Sequence, residues 1–217
     1  MAKRLKVAVL ISGRGSNLQA LLDACGDAAF PAEIALVISN VADAYGLERA
    51  RKAGVPTLVI DHKAHASREA FDAELDKAIR ASGAELVCLA GFMRLLSKGF
   101  SEAWNGRMIN IHPSLLPSFK GLHTHRKAIE AGVKLHGCTV HFVTPELDDG
   151  PIIVQAAVPV LSSDDEDALA HRVLEQEHKA YPLALRLVAE GRVSVVNRVV
   201  KILGADDAGI RLVNPAN

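Results

Sequence analysis

The sequence carries no net charge, setting 25 Lys and Arg against 25 Asp and Glu in 217 residues. That balance excludes a protein that holds nucleic acid by bulk electrostatics, and leaves room only for a local basic pocket suited to a small anion. Cysteine is scarce. Cys25, Cys88 and Cys138 stand far apart with no Cys-x-x-Cys spacing, so neither a disulfide framework nor a thiolate metal site is expected. Cys88 and Cys138 fall in apolar runs and read as small buried hydrophobes. Long apolar stretches are also missing. None approaches the ~20 residues that span a bilayer, and the run Val7 to Ile11 behind the basic start is too short for a signal peptide. A soluble, cytoplasmic protein without a membrane or nucleic-acid partner is expected. Repeats, low-complexity tracts and linkers are absent as well.

What is present is apolar content of 49%, enough for a substantial core without staples. At about 150 residues per domain, the length suits a single α/β domain over residues 1–217. Lys6 to Ile11, the turn Ser12 to Asn17 and the amphipathic run Leu18 to Ala24 make a strand–loop–helix unit. Similar units follow. Strands are expected at Glu33–Ser39, Thr57–Ile60 and Glu85–Ala90, with helices at Ala42–Lys52 and from Ser67 to about Ser82. Such alternation implies right-handed crossovers and a parallel sheet. After Gly91 the pattern changes. Met108–His112 reads as a strand halted by Pro113, and a short helix is expected at His125–Gly132. Cys138–Thr144 and Ile152–Val160 are close enough for antiparallel pairing, so the sheet is mixed. An acidic entry at Asp164–Asp167 opens a helix running towards Gly191 with a kink expected at Pro182. The tail from Val193 reads as β-rich, as edge strands.

Gly13-x-Gly15-x-x-Leu18 is an incomplete dinucleotide fingerprint. Leu18 replaces the third glycine, and Asn40 stands where an acidic residue is expected. No Gly-Lys-Ser/Thr follows, so it is not a P-loop, and Ser16 is not set in a nucleophile elbow. Two readings remain. Gly15, Ser16 and Asn17 present their N–H groups to a phosphate at a helix N-terminus, or the segment is a plain turn with Asn17 as the N-cap.

Five of the nine histidines fall between His112 and His141. Their spacing matches no recognised zinc set, so no metal is expected. Asn110 and His112 are two apart in a strand and project side by side. They sit where open α/β sheets place their sites, beyond the strand's carboxyl end. An amide donor beside an imidazole that can carry charge suits an oxyanion; the alternative is a histidine satisfied by backbone. Asp148 lies in the turn before Gly150-Pro151. Folded against His112 it would favour the charged ring; otherwise it is ordinary turn chemistry.

Five segments occur in order: Ile11-Ser12-Gly13-Arg14-Gly15-Ser16-Asn17-Leu18-Gln19-Ala20, Leu89-Ala90-Gly91-Phe92-Met93-Arg94-Leu95-Leu96, Asn110-Ile111-His112-Pro113-Ser114-Leu115-Leu116-Pro117, Gly121-Leu122-His123-Thr124-His125 and Leu147-Asp148-Asp149-Gly150-Pro151. Together they closely resemble the folate-dependent formyltransferases, and among these the phosphoribosylglycinamide formyltransferases of purine biosynthesis, from about Lys6 to about Gly191.

The resemblance implies a Rossmann-like three-layer sandwich whose mostly parallel sheet ends in antiparallel strands. It divides the chain into a phosphate-binding half (about 1–105), a folate and catalytic half (about 106–192) and a tail (193–217). Carried over by position, Gly15, Ser16 and Asn17 form the ribonucleotide phosphate loop and Glu177 contacts the ribose. Arg68, Met93, Arg94, Leu95 and Leu96, with Asn110, hold 10-formyltetrahydrofolate. Asn110, His112 and Asp148 are the catalytic three, and no metal is implied. The partners implied are small-molecule substrates, for a monomer or weak homodimer. Asp149 departs from the pattern, because some relatives have glycine there. Formyltetrahydrofolate deformylase usually carries an extra N-terminal domain and methionyl-tRNA formyltransferase an extra C-terminal one. A first strand at Lys6 and a short tail speak against both. A non-catalytic phosphometabolite-binding protein would need the loop but not Asn110, His112 and Asp148 together.

Overall fold

Leu5–Ile11 forms β1, whose last five residues are all buried. A strand buried on both faces belongs at the centre of a sheet covered by helices on each side. In the computed structural model, which describes residues 3–205 and Asn214, β1 lies between two parallel neighbours. The sheet has seven strands in the order β3-β2-β1-β4-β5-β6-β7. They are β2 (Ala32–Ser39), β3 (Thr57–Val59), β4 (Leu86–Leu89), β5 (Met108–His112), β6 (Leu135–Phe142) and β7 (Ile152–Pro159). The first five run parallel, and β6 and β7 turn antiparallel. The mixed sheet expected from the sequence is therefore observed.

Period-two alternation divides β1 between two cores. Val7, Val9 and Ile11 face one layer, formed by α1 (Ser16–Gly26), α2 (Tyr45–Lys52), α5 (Thr124–Glu130) and α6 (Glu166–Ala189). Ala8 and Leu10 face the other, formed by α3 (Arg68–Ala81) and α4 (Lys98–Ala103). Helix starts follow local chemistry. The Ser67 hydroxyl accepts the Ala70 N–H at 3.1 Å to cap α3, and the Asp165 carboxylate accepts the Ala168 N–H at 2.8 Å to cap α6. The α6 helix continues through Pro182, and its fully buried Tyr181 donates its hydroxyl to Leu89 O at 2.9 Å, seating the helix across β4. Cys25, Cys88 and Cys138 are free and buried, and burial pushes the Cys138 thiol up to about 12.

The α2 helix begins at Tyr45 rather than Ala42, and three further elements differ from expectation. The β6 strand begins at Leu135 rather than Cys138, because His136 and Gly137 already pair with Val158 and Ala157 of β7. The six-residue α4, capped by Ser97, is too short to show helical periodicity in the sequence. The described part of the tail, up to residue 205, does not extend the seven-stranded sheet. Instead β8 (Val193–Val196) and β9 (Val199–Ile202) pair only with each other as a hairpin, turning at Asn197 and Arg198, both at positive φ. The rest of the tail, apart from Asn214, lies outside the described residues.

Candidate active site

Strand order reverses between β1 and β4, which makes their carboxyl ends the natural crevice of this sheet. The loops leaving them meet there. Ser12 N–H donates to Gly91 O at 3.1 Å, and the Ser12 hydroxyl accepts the Met93 N–H at 2.8 Å. Gly15 caps α1 in the left-handed conformation, φ +70°, and Ser16 is the first helical residue. Asn17 is thus inside the helix and is not the N-cap. A side chain on Gly15 would put Cβ 2.7 Å from the Gly46 Cα, so the glycine is demanded by the close approach of α2. The open amides of the first turn of α1, starting with Ser16 and Asn17, form an anion-ready terminus. Arg49 of α2 stands at this loop, its Nε donating to Arg14 O at 2.9 Å. Asn17 reaches the far end of the chain, donating Nδ2–H to Glu177 Oε2 at 2.7 Å, while its own Oδ1 is buried without a partner. Burial raises the Glu177 carboxyl above the usual range, opposed by the Asn17 hydrogen bond.

On the other side of the crevice, Arg68, Arg94 and Leu95 line a cavity of about 190 Å³ together with His62, His65 and Phe71. Met93 and Leu95 are exposed, whereas Leu96 packs against the α3–α4 core. The end of this loop is fastened by buried Asp72, whose carboxylate accepts the Ser97 N–H at 2.6 Å. Arg68 and Met93 to Leu96 come from before residue 105, and Glu177 meets Asn17 from beyond it.

The third cluster is polar, with His112 and His141 buried and Asn110 half-buried. Asn110 and His112 do project from one face of β5, and Asp148 folds back to them, its Oδ2 lying 3.5 Å from His112 Nδ1. Asp148 adopts positive φ, +48°, in the turn between β6 and β7. The turn can be this tight because Gly150 has no Cβ, which would fall 1.7 Å from Phe142 O. Asp148 Oδ2 also accepts the Gly121 N–H at 2.9 Å. His112 Nε2 donates to Phe119 O at 3.0 Å. Both ring nitrogens of His112 therefore face acceptor oxygens.

Sequence reasoning overlooked His141, which lies opposite Asn110 in the β5–β6 register. Its Nδ1–H donates to Phe142 O at 2.9 Å, leaving Nε2 as the acceptor 3.3 Å from Asn110 Nδ2. Burial pushes the His141 ring below the ordinary histidine range, consistent with this neutral tautomer. The contact fixes which end of the Asn110 amide points where. The signal available in the sequence was the alternation of β6, which puts His141 and Thr139 on one face. Among the described residues, no group of three or more His, Cys, Asp or Glu could hold a metal ion. No helix among them is long and apolar enough to cross a membrane.

Comparison with known proteins accords with this geometry. The formyl transferase family model matches residues 5–185. Phosphoribosylglycinamide formyltransferase of Escherichia coli is 52% identical over 191 residues, covering 88% of this chain and 90% of that protein. The trifunctional purine biosynthetic protein adenosine-3 of Drosophila melanogaster is 56% identical over 87% of this chain, which spans only 14% of that longer protein's length. Among solved structures, glycinamide ribonucleotide transformylase 1 of Symbiobacterium toebii superposes with a TM-score of 0.91 at 54% identity, covering 94% of this chain and 96% of that one. The Rossmann-like α/β fold is shared with that solved structure. The chain belongs to the formyl transferase family, among its phosphoribosylglycinamide formyltransferases.

Proposed function

We propose that the chain transfers the formyl group of 10-formyltetrahydrofolate to the amine of 5-phosphoribosylglycinamide, giving formylglycinamide ribonucleotide and tetrahydrofolate. The observation that carries this reading is the approach of Asp148 to buried His112, 3.5 Å apart, with half-buried Asn110 two residues before His112 at the carboxyl end of β5. The folate is a second substrate, consumed in each turnover.

In this reading the glycinamide nitrogen attacks the formyl carbon, the bond from that carbon to N10 breaks, and one amine proton passes to N10. Negative charge develops on the formyl oxygen. Asn110 has one amide N–H directed at His141, and its second is free for that oxygen. His112 supplies positive charge, held by Asp148, and its Nε2–H exchanges the Phe119 carbonyl for the formyl oxygen. Asp148 and His112 together relay the proton from the attacking amine to the departing nitrogen.

Binding divides along the crevice. The phosphate sits on the amides of Gly15, Ser16 and Asn17, and Glu177 accepts from a ribose hydroxyl beside it. Arg68 and Arg94, two guanidiniums on one cavity, suit the carboxylate end of the folate. Met93, Leu95 and Leu96 offer apolar surface to its flat rings. Donor carrying an isotopically labelled formyl group tests the reaction. The label is expected on the glycinamide nitrogen of the ribonucleotide, and its recovery as formate would refute transfer in favour of hydrolysis.

A further inference from the structure

Asp149 follows Asp148 in the β6–β7 turn, and it is not idle. Its carboxylate is paired on one side with Lys120 and on the other with Arg198, whose Nη2 also donates to Asp149 O at 2.7 Å. Lys120 belongs to a three-residue strap in which each member holds a different part of the candidate site. Phe119 O accepts from His112 Nε2, Lys120 Nζ pairs with Asp149, and Gly121 N–H donates to Asp148 Oδ2. Lys120 and Gly121 therefore grip the adjacent turn residues Asp149 and Asp148, while Phe119 holds His112. Both sides need holding in place. Phe119 and Asp148 occupy positive φ, at +54° and +48°, a conformation costly for residues with side chains. Arg198 comes from the turn of the β8–β9 hairpin, so the pairing also ties the tail to the Asp148 turn.

We infer that Asp149 is a positioning residue: its ion pairs with Lys120 and Arg198 lock the Phe119–Gly121 strap and the tail hairpin onto the Asp148 turn, holding the Asp148 carboxylate towards His112. The inference rests on the formyl-transfer reading of His112 and Asp148. No reacting atom touches Asp149. When its charge is removed, the strap loses its grip, the Gly121 hydrogen bond opens more often, and the Asp148 carboxylate spends less time facing the ring. The charges facing Asp149 are Lys120 and Arg198, with Asp148 beside it in the chain, so its own contribution is separated by removing it alone.

The test compares wild type with Asp149→Asn and Arg198→Gln, measuring kcat, both KM values, Tm and the dependence of kcat on salt. The pairs are partly exposed, so each is worth little to stability, and Tm should stay close to the wild-type value. Asp149→Asn is expected to lower kcat roughly three- to tenfold with KM unchanged, and Arg198→Gln less, in the same direction. Raising the salt should weaken exposed pairs and carry wild-type kcat towards that of Asp149→Asn, whose own kcat responds less. Asp149→Glu, which keeps the charge, should recover most of the loss. If either variant fails to fold, the other and the salt series decide. Unchanged or increased kcat in Asp149→Asn, or a salt response equal to that of wild type, overturns the inference. Absence of formyl transfer by wild type would instead refute the function on which it rests.

Discussion

Asp148→Asn keeps the shape of the side chain and removes its charge, which makes it the sharpest probe of the His112–Asp148 pair. The carboxylate oxygen lies 3.5 Å from His112 Nδ1, and the two side chains are only 9% and 6% exposed. At an effective dielectric constant of about 20, a unit charge at that distance stabilises the imidazolium by about 5 kcal/mol. The net stabilisation that adjacent opposite charges realise in proteins is smaller, about 1.4–4 kcal/mol. Turnover should therefore fall by roughly 10¹- to 10³-fold, since each 1.36 kcal/mol lost in the transition state is tenfold. The assay is the initial rate of tetrahydrofolate formation at saturating concentrations of both substrates, with KM for each. A transition-state interaction lowers kcat and leaves KM unmoved. His112→Ala should be at least as damaging. The double variant should cost far less than the product of the two singles, because the residues act as a unit. A variant with wild-type Tm and kcat within threefold of wild type would refute the electrostatic role, and multiplicative singles would show that the two groups act apart.

Three further outcomes follow from other parts of the structure. Glu177 is buried with a raised carboxyl pKa, so its folded form binds protons more readily than the unfolded chain and its ionisation destabilises the fold as pH rises. Glu177→Gln should hold or raise Tm at neutral pH while KM for the ribonucleotide rises about tenfold, the size of one lost charged hydrogen bond; an unmoved KM would remove Glu177 from the ribose site. Gly15→Val should lower Tm by several degrees besides weakening ribonucleotide binding, because its Cβ would fall 2.7 Å from Gly46 Cα. A variant with normal stability and weakened phosphate binding would show that α2 yields more readily than its backbone contact suggests. His136 is buried against Phe119 and His125, and burial, with the neighbouring histidines, pushes its pKa from 6.5 down to about 4. The unfolded chain takes up that proton first, so the stabilisation is complete above pH 6.5 and is lost as pH falls towards 4. Between pH 7 and pH 5 the folding free energy should drop by about 2 kcal/mol from this group. In His136→Phe, urea midpoints at the two pH values should differ correspondingly less, and an equal difference would contradict the assignment.

Much of this arrangement was legible locally. The β1 and β5 strands announce themselves by apolar runs and a stopping proline, α3 by a start at Ser67 and α6 by its acidic entry at Asp164–Asp167. Asn110 and His112 share a face through strand geometry alone. What was not legible depends on pieces of chain brought together by folding. Asp148 reaches His112 only once the β6–β7 turn is closed over Gly150, and His141 reaches Asn110 only through the antiparallel register. Gly15 looked like a position cleared for a phosphate, whereas its neighbour is Gly46, on a different helix. The tail hairpin satisfies its own backbone pairing, and no sequence pattern tells that from an edge strand. Asp149 stood out only as a departure, and its partners Lys120 and Arg198 are 29 and 49 residues away.

The central claim is transfer of a formyl group to an amine at the Asn110–His112–Asp148 cluster, and the most direct measurement is donor consumption with and without the acceptor. The protein is incubated with 10-formyltetrahydrofolate alone, and then with 5-phosphoribosylglycinamide added, while tetrahydrofolate, formate and formylated ribonucleotide are quantified together. Tetrahydrofolate and formylated ribonucleotide should appear one for one, only when both substrates are present, and without formate. Tetrahydrofolate release at the same rate in the absence of the ribonucleotide, matched by formate, would contradict the account.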